Sequence, residues 1–419
     1  MTGIRKDVIF GFIDQALISL SNFIIAFFLI HCTSKENYGL YGLGMIIVLL
    51  FVGFSNALIT TQMSVIAPAK DISTRDKYCC SMLLGQLLIF LPILFLGGAG
   101  VVILDKCHIV NHFDHVFYLA VCSAVFGMLL KEFFRRFYYL KLRPQVALAI
   151  DICHVAAVLS VLILVEFLLQ PDDLHVIAML AVAGGAGLSG VIGFLIAKFP
   201  TRMIDLRFVG DSLKEAWQQG RWALGGVTVT WLQSQSYVYL LGIFVGVSAI
   251  AEANAARLLI APIAMLSTSI TSVILPRLAL MRNSGNSAEV ERLARKVLYA
   301  LIFVAVIYAG FLLIFKDLII VKLFTSTYRN IGVFILAWNL VFVFQAVRSN
   351  NSLLLQVFRK FREITLSNIV SSLAVLVCGI FLIREYGVLG SIANLAFGEI
   401  LLSILLWKAY KRTNKNNAC

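Results

Sequence analysis

Long apolar stretches recur along this chain with few interruptions, from Val8 to Trp407. A helix needs about 20 apolar residues to cross the hydrocarbon core of a bilayer, which is roughly 30 Å thick. Of the 419 residues, 60% are hydrophobic and 14% are charged, whereas a water-soluble protein of this length needs more charge on its surface. The pattern therefore predicts an all-α polytopic membrane protein with little chain left for a soluble domain.

The apolar stretches predict about twelve transmembrane helices. The predicted spans are residues 8–31, 38–62, 79–104, 116–138, 147–169, 175–198, 222–246, 250–274, 297–315, 333–357, 365–384 and 387–407. Of the 35 Lys and Arg residues, 26 lie on the side that holds both termini, six lie on the other side and three lie inside spans. By the positive-inside rule, both termini are predicted in the cytoplasm and the protein in a bacterial inner membrane.

Two similar short motifs indicate two copies of a six-helix unit. Lys141-Leu142-Arg143 follows the fourth predicted span, and Lys360-Phe361-Arg362 follows the tenth. Because six is an even number, the copies would be parallel repeats, and transporters commonly bind substrate between such repeats. The predicted parts are an N-terminal lobe (1–198), a cytoplasmic amphipathic linker (199–221), a C-terminal lobe (222–407) and a cytoplasmic tail (408–419).

Several functions are disfavoured by the distribution of charge and by the motifs. The net charge of +13 comes from short basic clusters between apolar spans, which is typical of membrane-protein loops and not of a nucleic-acid surface. The sequence contains no phosphate-binding glycine loop with a Walker lysine, so ATP hydrolysis is not expected. The predicted outer connections are too short for the catalytic domain of an enzyme that polymerises or ligates sugars. We therefore expect that the protein is not an enzyme and that it uses no cofactor other than a coupling ion, H⁺ or Na⁺.

The outer segment 105–115 is the one place where side chains with metal-ligand spacing gather. It is either a metal site or a solvated loop that carries histidines, and the second alternative is the more common. The side chains are Cys107, His108, His112, Asp114 and His115.

Ionisable side chains inside spans are the most informative, because each costs around 2.5–3.5 kcal/mol at the bilayer centre and has to face protein, water or substrate. Arg257 lies on one stripe of the eighth span with Asn254. Its planar guanidinium suits a phosphate or a carboxylate in a cavity. The alternative is a structural ion pair with Glu252 or with an acid on another span.

Polar groups recur at a similar depth in the fourth and tenth spans. Arg348 has no obvious partner nearby in the sequence, whereas Glu132 and Arg136 are spaced for an i,i+4 ion pair. The aromatic and basic run at 132–143 ends a span, where such residues are expected at the headgroup level.

Two acids inside spans are candidates for ion coupling. Asp14 in the first span either carries a coupling proton or cation, or lies close enough to the cytoplasm to reach water or pair with Lys or Arg. Glu399 in the last span is either an intramembrane proton site or a helix-packing hydrogen-bonding group. Amide side chains inside spans are further candidates for binding a substrate headgroup, with helix–helix hydrogen bonding as the alternative. These amides are Gln15, Asn22, Gln233, Gln235 and Asn351.

Three segments resemble polysaccharide exporters of the Wzx type. They are residues 11–43 with a polar first span and a Tyr-Gly pair, residues 222–277, and the turn "REYGVLGSIAN" at 384–394. The Wzx family belongs to the multidrug/oligosaccharidyl-lipid/polysaccharide exporter superfamily, which also holds multidrug extruders and lipid II flippases. The resemblance implies two six-helix lobes around a central cavity.

The resemblance also implies a cargo, which would be an undecaprenyl-diphosphate-linked oligosaccharide, the repeat unit of O-antigen or capsule. Cationic cavity residues receive the headgroup in that family, a role that falls on Arg257 and Arg348. The chain departs from the lipid II branch, which has an arginine on the first span where this chain has Asp14 and Gln15. The implied partners are the lipid-linked substrate, membrane lipids and polysaccharide assembly proteins such as a polymerase and a chain-length regulator, with no nucleic acid.

Two alternatives remain open. A cation-coupled multidrug extruder would share the fold, and its cavity would be apolar and acidic rather than basic. A membrane-embedded glycan polymerase or ligase belongs to a different class, and the short outer connections disfavour it.

Overall fold

The computed structural model describes residues 2–106, 115–169, 173–199, 206–283, 287–324, 328, 331–358 and 360–416. All regular secondary structure in this part of the chain is helical. The predicted all-α fold class is therefore confirmed.

Fourteen α-helices follow one another along the described chain. They are α1 (Thr2–Cys32), α2 (Lys35–Ser55), α3 (Thr61–Ile66), α4 (Ile72–Lys106), α5 (His115–Leu140), α6 (Pro144–Leu169), α7 (Leu174–Ala197), α8 (Leu206–Phe244), α9 (Val247–Leu258), α10 (Ala261–Asn283), α11 (Ser287–Ile314), α12 (Lys316–Leu323), α13 (Ile331–Val357) and α14 (Phe361–Asn416). A π-helical turn (Asn56–Thr60) separates α2 from α3, and a 3₁₀ turn (Ala67–Ala69) follows α3.

The helices form two compact units. Unit 1 comprises Met1–Thr33 and Leu40–Thr228, and unit 2 comprises Ser34–Gly39 and Val229–Cys419. The chain thus passes from one unit to the other inside α8. The predicted bounds of the two lobes remain a prediction. Of the predicted linker 199–221, residues 200–205 lie outside the described part, and residues 206–221 form the first turns of α8.

Nine segments of the described chain are long and apolar enough to cross a membrane. The last of them, Phe361–Arg412, contains a reversal and holds the final two predicted spans. These segments therefore account for ten of the predicted spans, in agreement with a multi-pass membrane protein. The predicted seventh span lies on α8 and the predicted eighth on α9 and α10.

The predicted eighth span, 250–274, is not a single helix as expected. It divides at Leu259 and Ile260, where the Ile260 amide donates to the Arg257 carbonyl at 2.9 Å and closes a tight turn. Pro262 explains the break, because proline has no N–H to continue the helix and its ring collides with the carbonyl of the preceding turn. Arg257 is consequently held at the C-terminal end of α9.

Small residues bring α5 and α7 of unit 1 into close contact. A Cβ atom at Gly127 would lie 2.6 Å from the Ala183 carbonyl oxygen, and one at Gly193 would lie 2.7 Å from Phe134 Cβ. Such contacts matter in a membrane, where helices gain little from burying apolar surface and associate through close packing. The packing fixes the orientation of α5, which carries most of the charges inside unit 1.

Helix α14 is a hairpin, with a first limb at 361–386 and a second limb at 388–416. Gly387 has φ +55° and ψ −127°, a conformation that costs residues with a side chain about 1–3 kcal/mol. The limbs pack against each other, because Ser371 Oγ donates to the Gly398 carbonyl at 3.0 Å. A Cβ at Gly390 would lie 1.9 Å from the Leu382 carbonyl oxygen. Glycine is therefore required at both positions of "REYGVLG", at Gly387 by the positive φ and at Gly390 by the close approach of the Leu382 carbonyl.

We predict that Gly387→Ala and Gly390→Ala both lower the midpoint of thermal unfolding of the purified protein. The first introduces a backbone penalty of about 1–3 kcal/mol, and the second forces the limbs of α14 apart. Gly310→Ala on α11 is the matched control, because a Cβ there meets nothing within 4 Å. A Gly390→Ala protein that unfolds at the same temperature as the control would contradict the close approach of the two limbs.

Candidate functional site

A network of buried charges lies in unit 1 where α1, α5 and α6 meet. Each member is at most 9% exposed, so the surrounding protein and not solvent has to satisfy its charge. The buried ion network consists of Asp14 on α1, Lys131, Glu132 and Arg135 on α5, and Asp151 on α6.

Arg135 joins three acids in this network. Its Nη2 donates to Asp14 Oδ2 at 2.8 Å, and its Nη1 donates to Glu132 Oε1 at 3.1 Å. Its Nε lies 2.8 Å from Asp151 Oδ2, and Lys131 Nζ donates to Asp151 Oδ1 at 2.6 Å. The guanidinium fork is suited to this task because it carries five donors in a rigid plane. One side chain therefore ties α1 and α6 to α5.

The buried ion network contains three carboxyl groups and two buried cations, and the half-exposed Arg136 outside it also pairs with Glu132. The side chains of Asp14 and Asp151 are close enough to hydrogen bond to each other. Asp14 Oδ1 is buried without a hydrogen-bond donor, while the Tyr139 hydroxyl donates to Asp14 Oδ2 at 2.7 Å. A proton shared by the two carboxyl groups would satisfy Asp14 Oδ1 and relieve the repulsion between the two carboxylates. The chemistry open to this network is therefore uptake and release of a proton or a small cation.

The structure distinguishes between the two alternatives for the geometry of Asp14. It pairs with an arginine, as the second alternative expected, and its coupling role remains a prediction. The predicted i,i+4 pair is confirmed, with Arg136 Nε 3.2 Å from Glu132 Oε1.

Sequence reasoning missed two members of the network. Arg135 was expected at the headgroup level with the rest of 132–143, but it is buried, whereas the side chain of its neighbour Arg136 is 48% exposed. The expectation is wrong for Arg135 because it follows Lys131 by four residues and so shares its face of α5. Asp151 carried a usable signal, since it is an acid inside a predicted span.

A second polar cluster lies in unit 2 around Arg257. Its Nη1 donates to the Tyr237 hydroxyl at 3.2 Å, and its guanidinium lies over the Trp338 ring, 5.4 Å from the centroid. The Tyr237 hydroxyl in turn donates to Asn254 Oδ1 at 3.3 Å. The rings of Tyr237 and Trp338 meet edge to face at 5.8 Å. The Arg257 cluster consists of these four residues.

Arg257 does not pair with Glu252, so that alternative is wrong. Glu252 pairs instead with Lys35, whose Nζ lies 2.6 Å from Glu252 Oε1 and over the Tyr328 ring. Within the described part of the chain, Arg257 makes no salt bridge to any acid. Its charge is met by a hydroxyl and an aromatic face, which stabilise a cation without neutralising it. The guanidinium thus keeps its capacity for an anionic ligand.

Arg348 lies in a different environment, although both arginines were predicted to receive the same headgroup. Its Nε donates to Glu399 Oε2 at 2.5 Å and thereby joins α13 to the second limb of α14. Asn351 makes a parallel link, since its Nδ2 donates to Ser403 Oγ at 3.0 Å. The geometry matches helix packing for Glu399 and Asn351, while their predicted ligand roles remain untested.

The other predicted side chains lie apart from these clusters or beside them. Gln15 and Asn22 are exposed on α1 and take no part in the buried ion network. Gln233 is 7% exposed and lies one turn before Tyr237 on α8. The amide oxygen of Gln235 is buried without a hydrogen-bond donor.

The predicted metal-ligand segment lies mostly beyond the described residues. Cys107, His108, His112 and Asp114 are outside them, and His115 begins α5. Among the described residues, no group of three or more metal-ligating side chains is close enough to hold a metal ion.

Comparison with known proteins identifies the architecture. Residues 145–330 match a family model described as lipid II flippase MurJ. A solved structure of lipid II flippase MurJ in an inward closed conformation has a TM-score of 0.77 and 14% identity, over 96% of this chain and 87% of that one. No curated protein matches the sequence.

Two further structures extend the likeness. An inward-facing multidrug resistance MATE family transporter of the MOP superfamily has a TM-score of 0.69 and 14% identity, over 94% of this chain and 96% of that one. A MOP superfamily transporter from Pyrococcus furiosus has a TM-score of 0.65 and 14% identity, over 98% and 95%. At this identity the likeness shows the fold alone, which is similar to that of these transporters.

We predict that Arg135→Gln destabilises the protein by about 3–5 kcal/mol, because it leaves buried carboxylates uncompensated. Arg136→Gln, one position along the same helix, should cost less than about 1 kcal/mol because that side chain is largely exposed. Thermal unfolding of the two purified variants provides the measurement. Equal stability of the two would mean that Arg135 does not hold the buried ion network together.

Proposed function

We propose that this protein moves a lipid-linked anionic oligosaccharide from the cytoplasmic to the periplasmic leaflet of a bacterial inner membrane, with both of its termini in the cytoplasm. The family model over residues 145–330 supports this proposal, since it describes a lipid II flippase. The fold supports it as well, because the similar structures are a flippase and transporters. The same likeness favours transport over the glycan polymerase or ligase considered above.

Arg257 is the side chain on which the proposal depends. A diphosphate that bears sugars cannot enter hydrocarbon, whereas its polyprenyl tail can, so a flippase has to shelter the headgroup alone. A guanidinium that no described acid neutralises supplies a charged fork for a phosphate. Trp338 and Tyr237 hold that fork in place and offer ring surfaces next to it. Arg348, which already serves Glu399, is the weaker candidate for the headgroup.

The first helix bears on which headgroup is carried. In this chain α1 contributes Asp14, whose charge is taken up by Arg135, and it contributes no arginine to the described spanning segment Ile13–Cys32. The lipid II branch has an arginine on the first span. We therefore propose as cargo an undecaprenyl-diphosphate-linked repeat unit of O-antigen or capsule, and as partners the polymerase and chain-length regulator that use it next.

We predict that Arg257→Gln slows flipping of such a lipid about 10–100-fold, because each hydrogen bond to a charged group contributes about 1.5–3 kcal/mol. Arg257→Lys, which keeps the charge but loses the fork, should fall between Gln and the wild type. Purified protein in vesicles is assayed by the rate at which a fluorescent lipid-linked oligosaccharide becomes accessible to an external quencher.

Arg384→Gln is the matched control, since that side chain is exposed on α14 and is not a member of the Arg257 cluster. It should flip at the wild-type rate. Wild-type flipping by a monodisperse Arg257→Gln protein would sink the assignment of Arg257.

A cation-coupled multidrug extruder is the second candidate, and the buried ion network is the observation that favours it. Two carboxyl groups as close as those of Asp14 and Asp151 attract a proton, a sodium ion or a cationic drug. The network is nevertheless closed by Arg135 and Lys131, while Arg257 would repel a cationic drug. We therefore propose that the network couples transport to an ion gradient and does not bind the cargo.

We predict that Asp151→Asn abolishes the response of flipping to an imposed proton gradient, because an amide cannot take up the shared proton. Proton and sodium gradients are imposed separately, so that the assay also identifies the ion. Asp76→Asn is the control, since Asp76 pairs with Lys141 at a partly exposed position and should leave the response intact. If Asp151→Asn retains the response and Glu399→Gln loses it, coupling belongs to Glu399 instead.

A further inference from the structure

Unit 2 contains a cavity that none of the functions above uses. It has a volume of about 350 Å³ and lies between α11, α13 and the second limb of α14. Arg295, Tyr299 and Trp407 stand at its rim with exposed side chains. Asn350 and Asn351 line it as buried residues, 7% and 6% exposed. The cavity therefore has an open mouth and a polar floor.

The position of the cavity along the helices is that of a membrane interface. Tyr299 and Trp407 are the aromatic residues expected at the headgroup level, and basic residues follow on the same ends of the helices. Lys411 Nζ lies 5.2 Å from the centroid of the Trp407 ring, and Arg292 and Lys296 flank Arg295 on α11. A ligand in this cavity would thus have its headgroup among charges and its chains along the apolar surface of the helices.

Asn350 supplies the observation that points to a ligand. Its Oδ1 is buried and accepts no hydrogen bond within the described structure. A buried acceptor that is left without a hydrogen bond costs about 1–3 kcal/mol of stability. Its neighbour Asn351 is satisfied by Ser403 at 3.0 Å, so the unmet acceptor belongs to Asn350 alone of the two. The floor of the cavity therefore offers an acceptor to an incoming donor.

Charges of both signs line the same cavity. Arg295 and Glu291 are four residues apart and share a face of α11. One Glu291 oxygen accepts from the Tyr410 hydroxyl at 2.6 Å, which fixes the carboxylate in place. The exposed Tyr299 ring offers a face to a cation. A ligand that carries an anion and a cation close together complements this arrangement better than a simple anion does.

We propose that this cavity binds the headgroup of a phospholipid that joins a phosphodiester to a primary ammonium, the ethanolamine headgroup. Arg295 takes the phosphate. The ammonium donates to Asn350 Oδ1 and faces Glu291. A choline headgroup has the same charges but no N–H donor for Asn350, and a glycerol headgroup has hydroxyl donors but no cation for Glu291. The proposed ligand is a lipid of the surrounding membrane and not the transported cargo, so this proposal does not depend on the proposed function.

Lipid binding by the full-length, delipidated protein tests the proposal. Native mass spectrometry measures its affinity for ethanolamine, choline and glycerol phospholipids with identical acyl chains. The wild type should bind one ethanolamine lipid about tenfold more tightly than the other two, the factor expected for one satisfied buried acceptor. Asn350→Leu should remove this preference, whereas Arg295→Gln should weaken the binding of all three lipids, because all three carry the phosphate.

Matched controls exist on the same helices. Arg292→Gln leaves the cavity lining intact, and Asn339→Leu removes a buried α13 amide that donates to its own helix at Ile335. Both should keep the preference. If Asn350→Leu does not fold, the comparison of ethanolamine and choline lipids on the wild type still decides, because only the ethanolamine headgroup has an N–H donor for Asn350 Oδ1.

Three outcomes would overturn the proposal. Equal binding of choline and ethanolamine lipids would mean that the acceptor is unused. A preference for the glycerol lipid would mean a site for anions alone. The same loss in Arg292→Gln as in Arg295→Gln would mean a general effect of surface charge.

Discussion

Moving a charged side chain out of water costs several kcal/mol unless another charge or a set of hydrogen bonds compensates it, and this constraint shapes both units of the protein. In unit 1, Arg135 meets three carboxylates and Lys131 meets one of them. In unit 2, Arg348 meets Glu399. Against these pairs Arg257 is different in kind, because a ring and a hydroxyl hold it and no described acid neutralises it. A cation that no described acid neutralises, and that lies among the helices, is explained if it binds an anionic ligand.

The ion pairs depend on backbone packing that the charges themselves do not create. Glycine at 127, 190 and 193 lets α5 approach α7 closely, because a Cβ at any of these positions would meet an atom within 2.7 Å. That packing sets the rotation of α5, and the rotation decides that Arg135 faces α1 and α6 while Arg136 faces outward. Polar chemistry in unit 1 therefore follows from the small residues of an apolar interface.

The fold class and most spans could be predicted, because the length of an apolar stretch is a local property of the sequence and has to match the thickness of the bilayer's hydrocarbon core. The break between α9 and α10 was missed because apolar residues continue through it, although Pro262 marks it by chemistry. Contacts between residues that are distant along the chain are harder to predict from the sequence. Asp14 and Arg135 are 121 residues apart, and Arg348 and Glu399 are 51 apart. The depth of each residue can be estimated from its place in a span, but the direction in which it points depends on how the helices pack. The sequence thus shows which ionisable side chains lie inside spans, but it does not show which of them pair.

The two units differ in the kind of ligand that their polar groups suit. The buried ion network of unit 1 holds two carboxyl groups close enough to share a proton, and the Arg257 cluster of unit 2 has a cation without a described acid. Under the proposed function, a proton or sodium ion suits the first and a diphosphate the second, so the two ligands do not compete for one set of groups. An ion can drive transport only through different affinities in two conformations. Asp14 is the one member of the network on α1, and protonation would weaken its hold on Arg135. The α1 contact is accordingly the element of unit 1 whose stability an ion would change most.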